Sequence, residues 1–192
     1  AGLDQSSTRV DVCEGPWDAM ALWEAITSYH DLPQATTPYH NAIIAAPGCN
    51  VWRDEWTEMC KGKHIVLWFD SDHPKEHAGK VMKAGYDGMV RVAKRLSGYA
   101  ASVRWLCWGK DGWDTTKPSG WDVRDHLTSS ATIEDRRTAL LDLIGRLEAA
   151  PSDWFTPHHT TEPSSHQIVS SPSIAPELCS SWDVCVAAWQ EA

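Results

Sequence analysis

Phenylalanine is nearly missing from this chain, with two residues against twelve tryptophans in a total of 192. Trp is a large hydrophobe with one N–H to satisfy, so these rings are expected at core edges and interfaces as well as inside. No apolar run reaches the roughly 18 residues a membrane-spanning helix needs, which leaves no membrane partner to expect. The six cysteines (13, 49, 60, 107, 179 and 185) form no C-x-x-C pair. Four lie in or beside apolar runs, so they read as reduced core thiols of a cytoplasmic protein rather than a disulfide framework. No G-x-x-x-x-G-K-[ST] occurs, which excludes a P-loop ATPase within this sequence. The first residues, Ala1-Gly2-Leu3-Asp4-Gln5, are polar and lack Met. The expectation is that no secretion signal is present, and that Met was removed or the sequence is a piece of a longer chain.

The net charge of −9 argues against a molecule that wraps nucleic acid over its whole surface. That charge is unevenly distributed. Residues 61–110 carry ten basic and four acidic side chains, whereas residues 1–60 carry two and nine. Residues 151–192 contain five acids and no Lys or Arg. With 42% hydrophobic and 22% charged residues, the composition is that of a folded protein long enough for one domain with a real core.

Strand and helix periodicities alternate up to Pro151. Arg9–Cys13 alternates with period two, Ala42–Ala46 is a continuous apolar run, His64–Phe69 is the strongest strand signal, and Val103–Trp108 is a fourth. Between and after them come helical patterns over 17–27, 52–60, 77–96 and 132–149. In the third, Ala78, Val81, Met82, Met89, Val92, Ala93 and Leu96 share a side, with Gly85 and Gly88 as candidate kink points. In the last, Ile133, Leu140, Leu141, Ile144 and Leu147 point inward. The expected fold class is α/β, a Rossmann-like, mostly parallel four-stranded sheet flanked by helices over residues 1–150. Residues 151–176, rich in Pro, Ser, Thr and His, read as a flexible linker, and 177–192 as a short apolar tail, a docking helix or the start of a truncated domain.

Ligands of open α/β sheets sit beyond the carboxyl ends of the strands, and three strand ends here carry acids. The first runs into Glu14-Gly15-Pro16-Trp17-Asp18 and the third into Asp70-Ser71-Asp72; Trp121-Asp122-Val123-Arg124-Asp125 follows the fourth. Residues two apart in an extended segment face one side, so Asp70 and Asp72 can converge on one cation. Carboxylates without Cys or His are ligands for a hard divalent ion such as Mg²⁺ or Mn²⁺. The plainer alternatives are a turn at the Asp70-x-Asp72 loop, a helix cap at Asp18 and a surface turn at Asp125.

Glu14-Gly15-x-x-Asp18-Ala19 after a strand, then Ala46-Pro47-Gly48, then an apolar strand into Asp70-x-Asp72 resembles the TOPRIM domain over roughly residues 8–130. Trp121-Asp122-x-x-Asp125-His126-Leu127 resembles the Lys-Asp-Pro-x-Asp-x-Leu stretch of TOPRIM primases, with Trp121 in place of Lys and Val123 in place of Pro. The resemblance implies a DNA primase or primase–helicase of phage or bacterial type, in the host cytoplasm if phage-encoded. Its reaction would be Mg²⁺-dependent nucleotidyl transfer making RNA primers on a single-stranded DNA template from nucleotides, with a helicase domain or subunit as partner. It implies Asp70 and Asp72 as direct ligands of the cation and Glu14 as ligand or proton-transfer group, with Asp122 and Asp125 extending the acidic cluster. A TOPRIM nuclease using the same acids, and a non-catalytic interaction module with the same fold, are the competing readings.

Two further patterns compete for attention. His73-Pro74-Lys75-Glu76-His77 fits H-x-x-E-H, an inverted zinc-protease signature that needs a helix; a helix start after the Asp70-x-Asp72 loop is the simpler reading. Lys75, Lys80 and Lys83 lead a basic segment that continues through Arg91, Lys94 and Arg95. These three lysines are candidates for contact with nucleic-acid or nucleotide phosphate, against the alternative of a solvated face.

Overall fold

A computed structural model of the chain describes residues 7–28, 42–129 and 132–155. The apolar segments β1 (Arg9–Cys13), β2 (Ala42–Ala45) and β3 (His64–Trp68) join two later ones in a single sheet. Between them and the later pair lie two short strands outside that sheet, β4 (Lys75–His77) and β5 (Lys80–Met82). The later pair is β6 (Ser102–Leu106) and β7 (Leu147–Ala149), and the five-stranded order is β2-β1-β3-β6-β7. The first four strands of this sheet run parallel, with Val12 opposite both Ile44 and Leu67, and Leu67 opposite Trp105. β7 is antiparallel to β6, with Leu106 opposite Leu147. The sheet is therefore mixed at one edge and one strand larger than the four expected. The missed strand lies where the last helical pattern was extended to Ala149. The helix over Ile133–Gly145 stops at Gly145, and Leu147 enters the sheet.

Both sheet faces are covered, so β1 and β3 are buried on both sides and the period-two alternation of β1 sorts its residues between two cores. One core joins Cys13, Val66, Trp68 and Leu106 to α1 (Pro16–Ser28), α4 (Val123–Thr128) and α5 (Ile133–Gly145). The other joins Val10, Val12, Ile65, Leu67 and Phe69 to α3 (Ala84–Leu96), with Trp52 and Trp56 of the α2 region (Asp54–Met59) packed at its side. Asp11 lies fully inside the first core, where Arg9 at 2.7 Å and the Trp68 indole N–H at 2.7 Å satisfy its carboxylate. In α5 the inward residues are Leu140 and Leu143, with Ile144 packed at the margin, while Ile133 and Leu141 are exposed.

The largest departure from expectation falls between Asp72 and Ala84. The helical pattern over 77–96 becomes a two-stranded antiparallel hairpin, β4 with β5, followed by the shorter α3. Ala78 and Gly79 turn the hairpin at φ of 51° and 74°, the left-handed pair that a two-residue turn requires and a helix forbids. Val81 and Met82, aligned with the helix stripe in the sequence, are exposed on the hairpin. His73 and His77 are therefore not on one helix face, which removes the zinc-protease reading.

Residues 151–155 continue the packed unit: Ser152–Phe155 form a 3₁₀ turn, and Trp154 is buried against Trp105 and Tyr86. The rest of the 151–176 linker and all of the 177–192 tail lie outside the described residues. Cys49, Cys60 and Cys107 are free thiols and Cys13 is buried in the first core; Cys179 and Cys185 fall outside the described residues. No helix among the described residues is long and apolar enough to cross a membrane.

A candidate site of converging carboxylates

The acids at the strand ends are brought together by backbone pairing. Glu14 follows β1, and its N–H donates to the Trp68 carbonyl at 3.2 Å, which keeps it in register with the end of β3. Its Oε2 accepts from the Asp70 N–H at 3.2 Å. Across the site, Ser71 pairs with Trp121: Ser71 N–H donates to Trp121 O at 2.8 Å and Gly120 N–H to Ser71 O at 3.0 Å. That short bridge pins the Trp121-Asp122 stretch against the Asp70-Ser71-Asp72 loop, although the two are far apart in the chain.

Each carboxylate then has a local partner. Asp72 Oδ2 accepts from Gly85 N–H at 3.0 Å at the start of α3. Asp122 caps α4, accepting from Asp125 N–H at 2.6 Å, and Arg124 reaches its other oxygen at 3.1 Å. Asp125 stands at the edge, with Arg124 at 3.7 Å. Asp18, in the first turn of α1, is buried and accepts from Arg124 N–H at 3.3 Å, with the Asp122 carboxylate close enough to act on it electrostatically. Cys49 lies beside Glu14, and the two groups act on each other electrostatically.

The electrostatics are those of one cluster. Burial, then the charges of Glu14, Asp18, Asp122 and Asp72, push the Asp70 carboxyl up to about 9. Burial followed by the Asp122 charge raises Asp18, and burial raises Asp122 and Glu14 as well. The Cys49 thiol is pushed up to about 11 by burial and by the Glu14 charge. Like charges packed this way favour either protonation or a cation.

Among the described residues, no three His, Cys, Asp or Glu side chains already stand close enough to hold one ion. The donor chemistry nevertheless fits a hard divalent cation: all the candidate donors are carboxylate oxygens, and their burial and mutual repulsion are what a cation relieves. Glu14, Asp70, Asp72 and Asp122 are together, and Asp125 is peripheral.

Asp18, marked in the sequence as a motif position with a helix cap as its plainer reading, belongs to the cluster, and so does Cys49, which the sequence does not single out. Asp18 lies in the first turn of α1, and its place in the Glu14-Gly15-x-x-Asp18 motif is the signal that marks it. Gly15 leaves it room: a Cβ at Gly15 would meet Asp18 Oδ2 at 2.9 Å. Gly85 and Gly88 serve close packing. A Cβ at Gly85 would lie 2.4 Å from the Asp70 carbonyl oxygen and one at Gly88 2.5 Å from that of Cys49, so both glycines let α3 lie directly on the site backbone.

The three candidate lysines separate. Lys75 and Lys80 are exposed on the hairpin. Lys83 is held at its foot, with its ammonium 4.6 Å from the Tyr86 ring centre and 4.7 Å from that of Trp113, and it donates to the Asp111 carbonyl at 3.1 Å. Beyond them, Arg91 bonds Asn50 and Arg95 pairs with Asp54. Comparisons of this chain with protein-family models, with curated proteins and with solved structures return no match.

Proposed function

We propose that this chain is a TOPRIM-like catalytic domain of a DNA primase or primase–helicase, acting by Mg²⁺- or Mn²⁺-dependent nucleotidyl transfer. The observation that carries the reading is the Ser71–Trp121 bridge, which joins the two acidic motifs of the resemblance into one buried carboxylate cluster at the carboxyl ends of parallel strands. In this reading Asp70, Asp72 and Glu14 hold the cation, Asp122 supports them, and Asp125 with Arg124 borders the site. A bound divalent ion neutralises phosphate charge and positions the attacking oxygen. Glu14, hydrogen-bonded by the Asp70 N–H, is the ligand or proton acceptor in this reading. A helicase domain or subunit, a single-stranded DNA template and nucleotides are the partners in this proposal.

The test is primer synthesis from ribonucleotides on single-stranded template by the parent protein, with Asp70→Asn and Asp72→Asn compared at equal folding by circular dichroism. Each substitution keeps the side-chain size and removes a charge a hard cation needs, so activity is expected to fall about 100-fold or more. Full activity in the folded variants would reduce Asp70-x-Asp72 to a turn and overturn the reading. Template cleavage without synthesis would assign the same acids to a nuclease.

A further inference from the structure

The β4–β5 hairpin is the one element among the described residues that packs on neither core. All six strand residues are exposed, although a two-stranded ribbon alone is marginal in water. It rises from the candidate site itself: Asp72 leads into its first strand, and at the return the Gly85 N–H closes back onto the Asp72 carboxylate at 3.0 Å. The entry is tied down by His73, whose N–H donates to Ser119 Oγ at 3.0 Å and whose ring nitrogen lies 3.2 Å from the Asp114 carbonyl.

The register sorts the side chains. Lys75 is opposite Met82, Glu76 opposite Val81, and His77 opposite Lys80. Residues directly opposite share a face and neighbours alternate. One face therefore carries Lys75, His77, Lys80 and Met82, and the other carries Glu76 and Val81. Among the described residues Lys75 and Lys80 have no ion-pair partner, whereas Arg95, Arg124 and Arg146 each do. Neither lysine has a carboxylate opposite it across the ribbon, so both ammonium groups can meet a polyanion laid along that face. In a chain of net charge −9, this unpaired basic strip beside a carboxylate cluster has a direction: it draws phosphate to the rim of the site that repels it.

We propose that the basic face of the β4–β5 hairpin binds the phosphate backbone of single-stranded DNA and guides it to the carboxylate site. This inference rests on the proposed function and names a surface for its template. The strip is about 10 Å long by strand geometry, enough for a short run of phosphates. Lys83, held over the Tyr86 and Trp113 rings at the hairpin's foot, carries the basic track from the hairpin toward the site.

The probe is a fluorescent oligodeoxythymidylate, titrated by anisotropy with the full chain in EDTA so that no cation bridges it to the acids. Lys75→Ala/Lys80→Ala is expected to weaken binding at least about tenfold at low salt and to flatten the log–log salt slope by about 0.7 per lost phosphate contact. Lys75→Arg/Lys80→Arg is expected to bind like the wild type, which separates charge from folding. Glu76→Gln, on the opposite face, is expected to change affinity less than about twofold, the range of a distant screened charge. Unchanged affinity in the double alanine variant, loss in the double arginine variant, or tighter binding of a duplex of equal length would each overturn the proposal. Asp70→Asn separates it from the reading it rests on. That variant is expected to keep or tighten oligonucleotide binding while losing synthesis. If it instead retains synthesis, the site assignment fails and the hairpin result stands by itself.

Discussion

Asp70 concentrates the electrostatics of the site in one side chain. Its carboxyl is held near 9 by burial and four neighbouring acids, so the folded protein binds that proton more tightly than the unfolded chain does. Folding stability contributed by the proton is complete below the ordinary carboxylate range and is lost as pH rises toward about 9. Glu14, Asp18 and Asp122 are shifted in the same direction and add to the loss. His126, lowered by burial, acts in the opposite sense but only below its ordinary range. In EDTA, the melting temperature is therefore expected to fall between about pH 7 and about pH 9, and Asp70→Asn to flatten that fall. Millimolar Mn²⁺ is expected to restore the wild type at the alkaline end through linkage. A melting temperature level across this range, or one indifferent to Mn²⁺, would contradict the cluster's electrostatics. Glu14, Asp70 and Asp72 were legible in the sequence because they follow the ends of β1 and β3, and Asp122 through the Trp121-Asp122-x-x-Asp125 stretch of the resemblance. Asp18 was harder to read because an acid in the first turn of a helix is ordinarily a solvated cap. Its burial against Asp122 arises only when α1 and α4 pack together.

At the scale of the element, the same local signals gave right and wrong readings for one physical reason. The apolar spacing from Met89 to Leu96 is helical and buried, and α3 occupies it. The spacing from Ala78 to Met82 looks like its continuation, but Gly79 breaks it and Ala78 takes a positive φ. Periodicity cannot weigh a turn whose first central residue is an alanine in the left-handed region, where Asn, Asp or Gly is usual. That alanine carries strain of about 1 kcal/mol or more. Ala78→Gly is expected to relieve it and to slow amide exchange of the hairpin's cross-strand N–H groups about fivefold, the population change that about 1 kcal/mol produces. Gly85→Ala is expected to do the reverse at the hairpin's foot. Its Cβ would lie 2.4 Å from the Asp70 backbone oxygen, an overlap that backbone must absorb at a cost of about 2 kcal/mol or more, read as a lower denaturation midpoint. A Gly85→Ala variant as stable as the wild type would show that α3 does not press on the site as described.

Across the whole molecule, the alternation of strands and helices was sufficient to reveal a parallel sheet covered on both faces, and the edge was where it failed. β7 has three residues, too few for a period to register, and its pairing with β6 depends on α5 ending at Gly145 rather than on any signal within Leu147–Ala149. The last packed side chain among the described residues was hidden similarly: Trp154 follows Pro151 in a stretch whose composition reads as linker, yet its ring lies 5.3 Å from Trp105 and 5.9 Å from Tyr86 and closes the core over α3. Tyr86 also carries Lys83 at the hairpin's foot, so Trp154 braces the sheet edge and the base of the hairpin together. Trp154→Ala is expected to destabilise the protein by about 3–5 kcal/mol, the range for emptying a buried aromatic site, measured by chemical denaturation. A chain shortened to end at residue 150 should lose at least as much. If the chain ending at residue 150 unfolds at the wild-type midpoint, Trp154 is not part of the core and the packed unit ends at Pro151.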